Sequence, residues 1–253
     1  MPVRTEKWPV GTPCWADLAV PDIEAAKSFY AAVLGWEFDE RGPEYGGYVN
    51  CHRGGGTAAG LSPQYQPGTP VAWTMYFATD DAGATATRIT DAGGTVAFGP
   101  LEVMDMGTMA LAGDPGGATF GIWQSGSHTG FGLYREPGAL VWEELAPGEG
   151  GARLASEFYR TVFDLRISGS DGGYQFKPAG WTESETVGSI GDPSAEDAGP
   201  HWQLWFIVED VDAAAAAAAH HGGKVVGVPH QSPQGRQARL LDPAGAELWV
   251  IAP

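Results

Sequence analysis

Residues 12–38 read TPCWADLAVPDIEAAKSFYAAVLGWEF, and residues 138–167 read GALVWEELAPGEGGARLASEFYRTVFDLRI. Trp15 aligns with Trp142, Asp17 with Glu144, and Phe29-Tyr30 with Phe158-Tyr159 once a two-residue insertion is allowed. The alternation in CWADLAV is that of a strand with one buried face, because successive side chains point to opposite sides. Pro21-Asp22 then supplies a turn and a helix N-cap. Ile23, Ala26, Phe29-Tyr30 and Val33 recur at helical spacing, and Gly35 ends the helix.

A second pair of segments extends the match. AWTMYFATDDAGATATRITDAGGTV, from Ala72, and HWQLWFIVEDVDAAAAAAAHHGGKV, from His201, place Trp73/Trp202, Phe77/Phe206, Asp81/Asp210 and Gly93-Gly94/Gly222-Gly223 at a constant offset of 129 residues. Asp114-Pro115 answers Asp242-Pro243. A fixed internal offset marks a repeat. The chain is predicted as an N-terminal extension (1–11), a first domain (12–126), a Gly- and Pro-containing linker (127–137) and a second domain (138–253). Each half shows the order strand, helix, Gly-turned strands twice, YGGYVNCHRGGGTAAGLSP being one such hairpin. The predicted unit is βαβββ, four copies in all, and the fold class is α+β.

Composition narrows the function. The 253 residues hold 14 Lys+Arg against 31 Asp+Glu, a formal charge of −17. Such a field opposes nucleic acid, whose binding draws on clustered cations and released counterions. With 43% hydrophobic and 18% charged residues the chain is globular. No apolar run follows the first charges, and the small-residue run 213–219 is far short of the ~20 residues a membrane helix needs. A soluble cytoplasmic protein with no membrane partner is expected. Cys14 and Cys51, without CxxC spacing, read as buried free thiols, with one bridge as the alternative.

The segment CWADLAVPDIEAAKSFYAAVLGWEF, the helix ends DAGG and HHGG, and the closing turns DPGGATFGIW and DPAGAELWVI resemble the vicinal oxygen chelate superfamily of glyoxalase I, extradiol dioxygenases and bleomycin-resistance proteins. In its tandem form the chain is similar to the two-domain actinobacterial branch called glyoxalase-like. The resemblance covers nearly the whole chain. It implies two glyoxalase-like domains whose paired modules curl into open cups, a scaffold that hosts unrelated activities. Whether modules pair within a half or across halves stays open. Enzymes of the superfamily usually hold a divalent metal through His, Gln or Glu on first strands and Glu on last strands. The matching positions are Trp15, Thr74 and Gly121, then Trp142, Gln203 and Trp249. Only Gln203 brings a usual ligating oxygen, whereas such metals need several convergent N/O donors. No metal or other cofactor is expected. The alternative is a displaced set, Glu144, His201 and Glu247, against which stands an ion pair of Glu247 with Arg239.

Asp17 and Glu144 are the candidate catalytic residues. Each is a mid-strand carboxylate beside an indole, where a partly dry setting raises the pKa toward general acid or base use. The competing reading has them simply accept hydrogen bonds from backbone or tryptophan N–H. Candidate ligand-binding residues are Trp15, Tyr48, Asn50 and Tyr76 in the first half, and Trp142, Tyr174, Gln203, Trp205, Arg239 and Trp249 in the second. Trp73 and Tyr76 have opposite strand parity, and Tyr76 is the one expected to face a ligand. Aromatic walls of this kind suit flat rings, although core packing uses the same residues. The expected function is metal-independent binding of an aromatic or polycyclic small molecule by a monomer. The alternatives are a metal-free enzyme using Asp17 or Glu144, and a metal-dependent lyase or dioxygenase.

Overall fold

The computed structural model describes residues 3–40, 42–64, 66, 68–170, 173–180, 186–191 and 199–253. The first half runs β1 (Pro13–Val20), α1 (Ile23–Leu34), β2 (Glu37–Glu40), β3 (Val49–Arg53), β4 (Gly56–Pro63), then β5 (Trp73–Thr79), α2 (Ala82–Asp91), β6 (Thr95–Val103), β7 (Gly107–Gly113) and β8 (Thr119–Ser125). The second repeats it as β9 (Leu140–Ala146), α3 (Gly151–Phe163), β10 (Leu165–Ser170), β11 (Gly173–Pro178), β12 (Gly188–Ile190), β13 (His201–Ile207), α4 (Val211–His220), β14 (Lys224–Ser232), β15 (Gly235–Leu241) and β16 (Glu247–Ala252). These are four βαβββ modules in an α+β fold.

Modules pair within each half. The first sheet has the order β2-β3-β4-β1-β5-β8-β7-β6 and the second β10-β11-β12-β9-β13-β16-β15-β14. Both are open eight-stranded sheets whose centres are antiparallel, β1 on β5 and β9 on β13. The helices fill the space between halves, α1 against α4 and α2 against α3.

Local chemistry accounts for the helices. The Asp22 carboxylate accepts from the Ala25 N–H at 3.0 Å, and Gly35 closes α1 at φ 68°, where a side chain would be strained. Asp81 and Asp210 cap α2 and α4 in the same way. At the two-residue insertion α3 lacks a side-chain cap, and Gly150 turns the chain at φ 88° instead.

A single apolar core runs through both halves. Phe77 of β5 stacks on Phe163 of α3 at 4.4 Å, and Trp36, Trp73 and Phe206 meet at the other end. Two hydrogen bonds across the join repeat the pseudo-symmetry: Tyr30 donates to Asp242 and Tyr159 to Asp114, each at 3.2 Å. Both aspartates sit in the Asp-Pro turns and also accept from backbone N–H groups of Ala246 and Ala118. Cys14 and Cys51 are buried free thiols. No helix among the described residues is long and apolar enough to cross a membrane.

Candidate functional site: two cups of opposite character

In β1, Trp15 and Asp17 share the face turned away from the helices. Trp15 lies opposite Tyr76, Asp17 lies between Thr74 and Gly60, and Asn50 lies beside Gly60. Trp73 is on the other face, in the core with Tyr30 and Trp36. The structure thus brings Trp15, Asp17, Tyr48, Asn50 and Tyr76 together in the first cup. Tyr76 donates to Asp17 Oδ2 at 3.1 Å and Tyr48 donates to the same oxygen at 3.4 Å, while the Trp15 indole N–H donates to Tyr48 at 2.8 Å. Two glycines make room for the rings: a Cβ on Gly60 would lie 1.8 Å from the Tyr48 hydroxyl, and one on Gly121 would lie 2.1 Å from Tyr76. The cup is filled by its own tyrosines.

The segment 126–138, which contains the predicted linker 127–137, also caps this cup. Phe131 packs on Trp15 at 5.5 Å, and the His128 ring meets Trp15 edge-on at 4.4 Å. The Phe131 N–H donates to the Cys14 carbonyl at 2.7 Å, and Gly132 donates to the Thr57 carbonyl. Trp15 is left 3% exposed. Burial pushes the Asp17 carboxyl up to about 7, against the opposing pull of the hydrogen bonds from Tyr76 and Tyr48. Both tyrosine hydroxyls are pushed up as well, by burial first and by the Asp17 charge second.

The second cup is built on the same register with other residues. Trp142 lies opposite Trp205, Glu144 lies opposite Gln203 and beside Ser189, and Trp205 lies beside Trp249. Ser189 and Trp249 stand where the first cup has Gly60 and Gly121. The Trp205 and Trp249 rings stack at 5.3 Å and 13°. Trp142 donates to Ser189 at 3.2 Å, Ser189 to Glu144 at 2.7 Å, and Trp205 to Gln237 at 3.2 Å. Arg239 pairs with Glu247, which also accepts from Gln203 at 3.4 Å. Trp142, Glu144, Gln203, Arg239, Glu247 and Trp249 are all partly exposed. Trp249 Nε1 and Arg239 Nε are buried without a partner.

Tyr174 is not brought into this cup. Gln175, not Tyr174, pairs with Ser189 beside Glu144 and so takes the place of Asn50. Tyr174 pairs with Ile190 on the helix side and packs on the core. It follows the glycines directly, as Tyr48 does, but it lies one residue before the Asn50-equivalent position and Tyr48 lies two. That single-residue slip reverses its face.

A divalent metal does not fit these residues. No group of three or more His, Cys, Asp or Glu among the described residues is placed to hold one. In the first cup the Tyr76 ring covers Gly121. In the second, Glu144 is taken by Ser189, His201 lies 2.9 Å from the Gly199 carbonyl, and Glu247 carries the Arg239 guanidinium, whose charge opposes a cation.

The fold is matched by known proteins. The model of the Glyoxalase/Bleomycin resistance protein/Dioxygenase superfamily matches residues 14–122 and again 151–250. The chain belongs to this superfamily. Among its relatives, the Mycobacterium tuberculosis protein described provisionally as glyoxylase CFP32 is 36% identical over 263 residues, covering 100% of this chain and 98% of its own. Anthracycline biosynthesis protein DnrV of Streptomyces peucetius is 36% identical over 265 residues, with 95% and 93% covered. Of solved structures, the 2,3-dioxygenase LapB of Pseudomonas sp. KL28 superposes with a TM-score of 0.65 at 15% identity, covering 96% and 92%. The Mn(II)-bound glyoxalase of Novosphingobium aromaticivorans gives 0.65 at 16%, covering 95% and 82%. At such identities the structures share the superfamily fold and no more.

Sequence reasoning missed Ser189, Gln175 and Gln237, the capping residues His128 and Phe131, and Glu143. Strand period could have placed Gln237 beside Arg239. Nothing local announces the cap, and Glu143 was passed over for its neighbour Glu144.

Proposed function

We propose that the protein binds an aromatic or polycyclic small molecule, without a metal, in the cup of its second half. The observation that carries this is the Trp205–Trp249 stack, set among Trp142, Gln203, Arg239 and Glu247, which stay partly exposed. A flat ring system laid along that stack gains apolar contact and offset stacking. The unpartnered N–H groups of Trp249 and Arg239 face a loss that a ligand oxygen would repair, since a buried donor left unpaired costs about 1–3 kcal/mol. The name of the Streptomyces peucetius relative, an anthracycline biosynthesis protein, supports a polycyclic ligand. The first cup, plugged by Tyr48 and Tyr76 and capped by residues 126–138, serves as structural support. Because the two halves already supply each other's helix-side contact, the working unit is the monomer.

The test uses 1,8-dihydroxyanthraquinone as probe, followed by tryptophan fluorescence and native mass spectrometry. One molecule per chain is expected, with affinity lost in Trp249→Ala and kept in Trp123→Phe of the first half. Equal affinity in the native protein and in Trp249→Ala would overturn the reading.

A second reading, a metal-free enzyme, draws on the Asp17 carboxyl held at about 7, a suitable value for moving a proton near neutrality. There Asp17 or Glu144 acts as the base. Turnover of a bound polycyclic compound should then vanish in Asp17→Asn or Glu144→Gln while binding persists. Undiminished turnover in both variants would remove this reading.

A further inference from the structure

Where the N-terminal segment and residues 131–135 meet the start of β9, the chain forms a half-open cavity of about 390 Å³, within the range of small-molecule sites. Trp8, Phe131, Tyr134 and Trp142 supply aromatic walls, and Thr12 and Glu143 supply polar groups. Glu143 lies between Trp142 and Glu144 in β9, one residue out of phase with the cup. It is 6% exposed and has no hydrogen bond or ion pair to another side chain among the described residues. The Thr12 hydroxyl, 2% exposed, is likewise buried without a partner. The Thr12 hydroxyl is thus left unpaired and Glu143 has only its own backbone N–H as partner, a thin supply for two buried polar groups in one aromatic cavity.

The chemistry of the walls selects the occupant. A carboxylate without a charged partner is strongly disfavoured when buried, so burial pushes Glu143 well up from the usual carboxylate range, against the pull of its own backbone N–H. An anionic ligand would gain nothing from ionising it. An ammonium would, because its charge stabilises the carboxylate while the Trp142 indole attracts a cation through its quadrupole. Arg135 also lines the cavity and lies over Tyr134 at 5.0 Å, Arg4 lies over Trp8 at 4.3 Å, and neither pairs with Glu143. The net charge of −17 draws cations toward the molecule from a distance.

We propose that this cavity is a second binding site, for an aromatic molecule bearing a primary amine, with Glu143 and Thr12 receiving the ammonium. The site adjoins the second cup through Trp142 but does not depend on the cup holding a ligand. The proton balance is explicit. An R–NH₃⁺ group enters, the Glu143 carboxylic acid releases its proton to solvent, and a carboxylate–ammonium pair remains.

The experiment compares 2-naphthylmethylamine with 2-naphthylmethanol on the full chain at pH 7.5, by calorimetry in two buffers of different ionisation enthalpy. The amine should bind about tenfold or more tightly than the alcohol, as charge-assisted bonds to a buried partner do. Close to one proton should be released per amine bound and none per alcohol. Glu143→Gln, which copies the shape of the neutral acid, should level the two affinities and abolish the proton release. Equal affinities in the native protein, no binding of either compound, or a preference that survives Glu143→Gln would each overturn the proposal. Should that variant fail to fold, the proton count on the native protein decides, and a count near zero overturns it. Trp249→Ala should leave the amine preference intact, and loss of the preference there would place the amine in the cup and overturn the cavity site. Conversely, anthraquinone binding unchanged in Glu143→Gln separates the two sites, so either can fail alone.

Discussion

The two cups share one register and differ in what occupies them. Where the first has Gly60 and Gly121, the second has Ser189 and Trp249. Glycine lets the tyrosine rings lie on the sheet and reach Asp17, so the first cup satisfies its own polar groups. Larger residues at the same places leave no bed for such rings, and the second cup keeps its tryptophans and its Arg239–Glu247 pair at a partly open surface. The halves differ at other cup positions too, Tyr76 answering Trp205 and Asp17 answering Glu144, but the two glycines are what gives the first cup's rings room to lie on the sheet. The lesson is physical: the absence of a Cβ decides whether a ring from a neighbouring strand can settle.

The most severe way to break the comparison is to restore the missing atoms. Gly121→Ala places a Cβ 2.1 Å from Tyr76, so the ring must leave its bed and its bond to Asp17. We expect a loss of about 3 kcal/mol in chemical denaturation, the upper end for overpacking a core. Ser189→Ala, which adds no volume to the second cup, should cost less than half as much. A loss below about 0.5 kcal/mol for Gly121→Ala would show that the tyrosine plug is adaptable.

The converse change acts on binding. Removing an indole from the open cup through Trp249→Ala should weaken the anthraquinone probe by about 2 kcal/mol, roughly thirtyfold, as for a central aromatic anchor. In the first cup Trp123→Phe should change the affinity less than twofold.

A pH series sharpens the contrast through Asp17. Its folded value, about 7, lies above the ordinary 3.8 because burial disfavours the charge. A raised carboxyl makes a contribution to stability that is fully present below pH 3.8 and is lost as pH rises through about 7. Native protein should therefore lose stability across that window more steeply than Asp17→Asn, by up to about 1 kcal/mol per pH unit in urea unfolding. Parallel curves for the two proteins would contradict the plugged cup.

The smallest effect belongs to the surface of the second cup. Glu247→Gln removes the partner of Arg239 where both side chains remain partly exposed, so unfolding should shift by no more than about 1 kcal/mol. The freed guanidinium should then bind the probe's oxygens at least as well, which a fluorescence titration would read.

Much of this was legible along the chain. The repeat of residues 12–38 in 138–167 disclosed the tandem, and period-2 strands put Trp15 with Asp17 and separated Tyr76 from Trp73. The proximity of Glu247 and Arg239 followed from adjacent hairpin strands. These are local properties, set by strand pleat, helical period and the caps Asp22, Asp81 and Asp210. Tyr174 shows the limit of such reading, because one residue of slip after a glycine turn reverses a face, and only the pairing with Ser189 reveals it.

By itself, then, the sequence determined the superfamily, the four modules and the strand faces other than that of Tyr174, since each depends on residues a few positions apart. Only the tertiary structure decided that modules pair within each half, that Tyr48 and Tyr76 fill the first cup, and that residues 126–138 cover it. It also decided that Glu143 faces a cavity formed jointly by β9 and the N-terminal segment. What covers a face, or leaves it uncovered, is set by segments tens of residues distant, whose approach depends on packing volume rather than on local period.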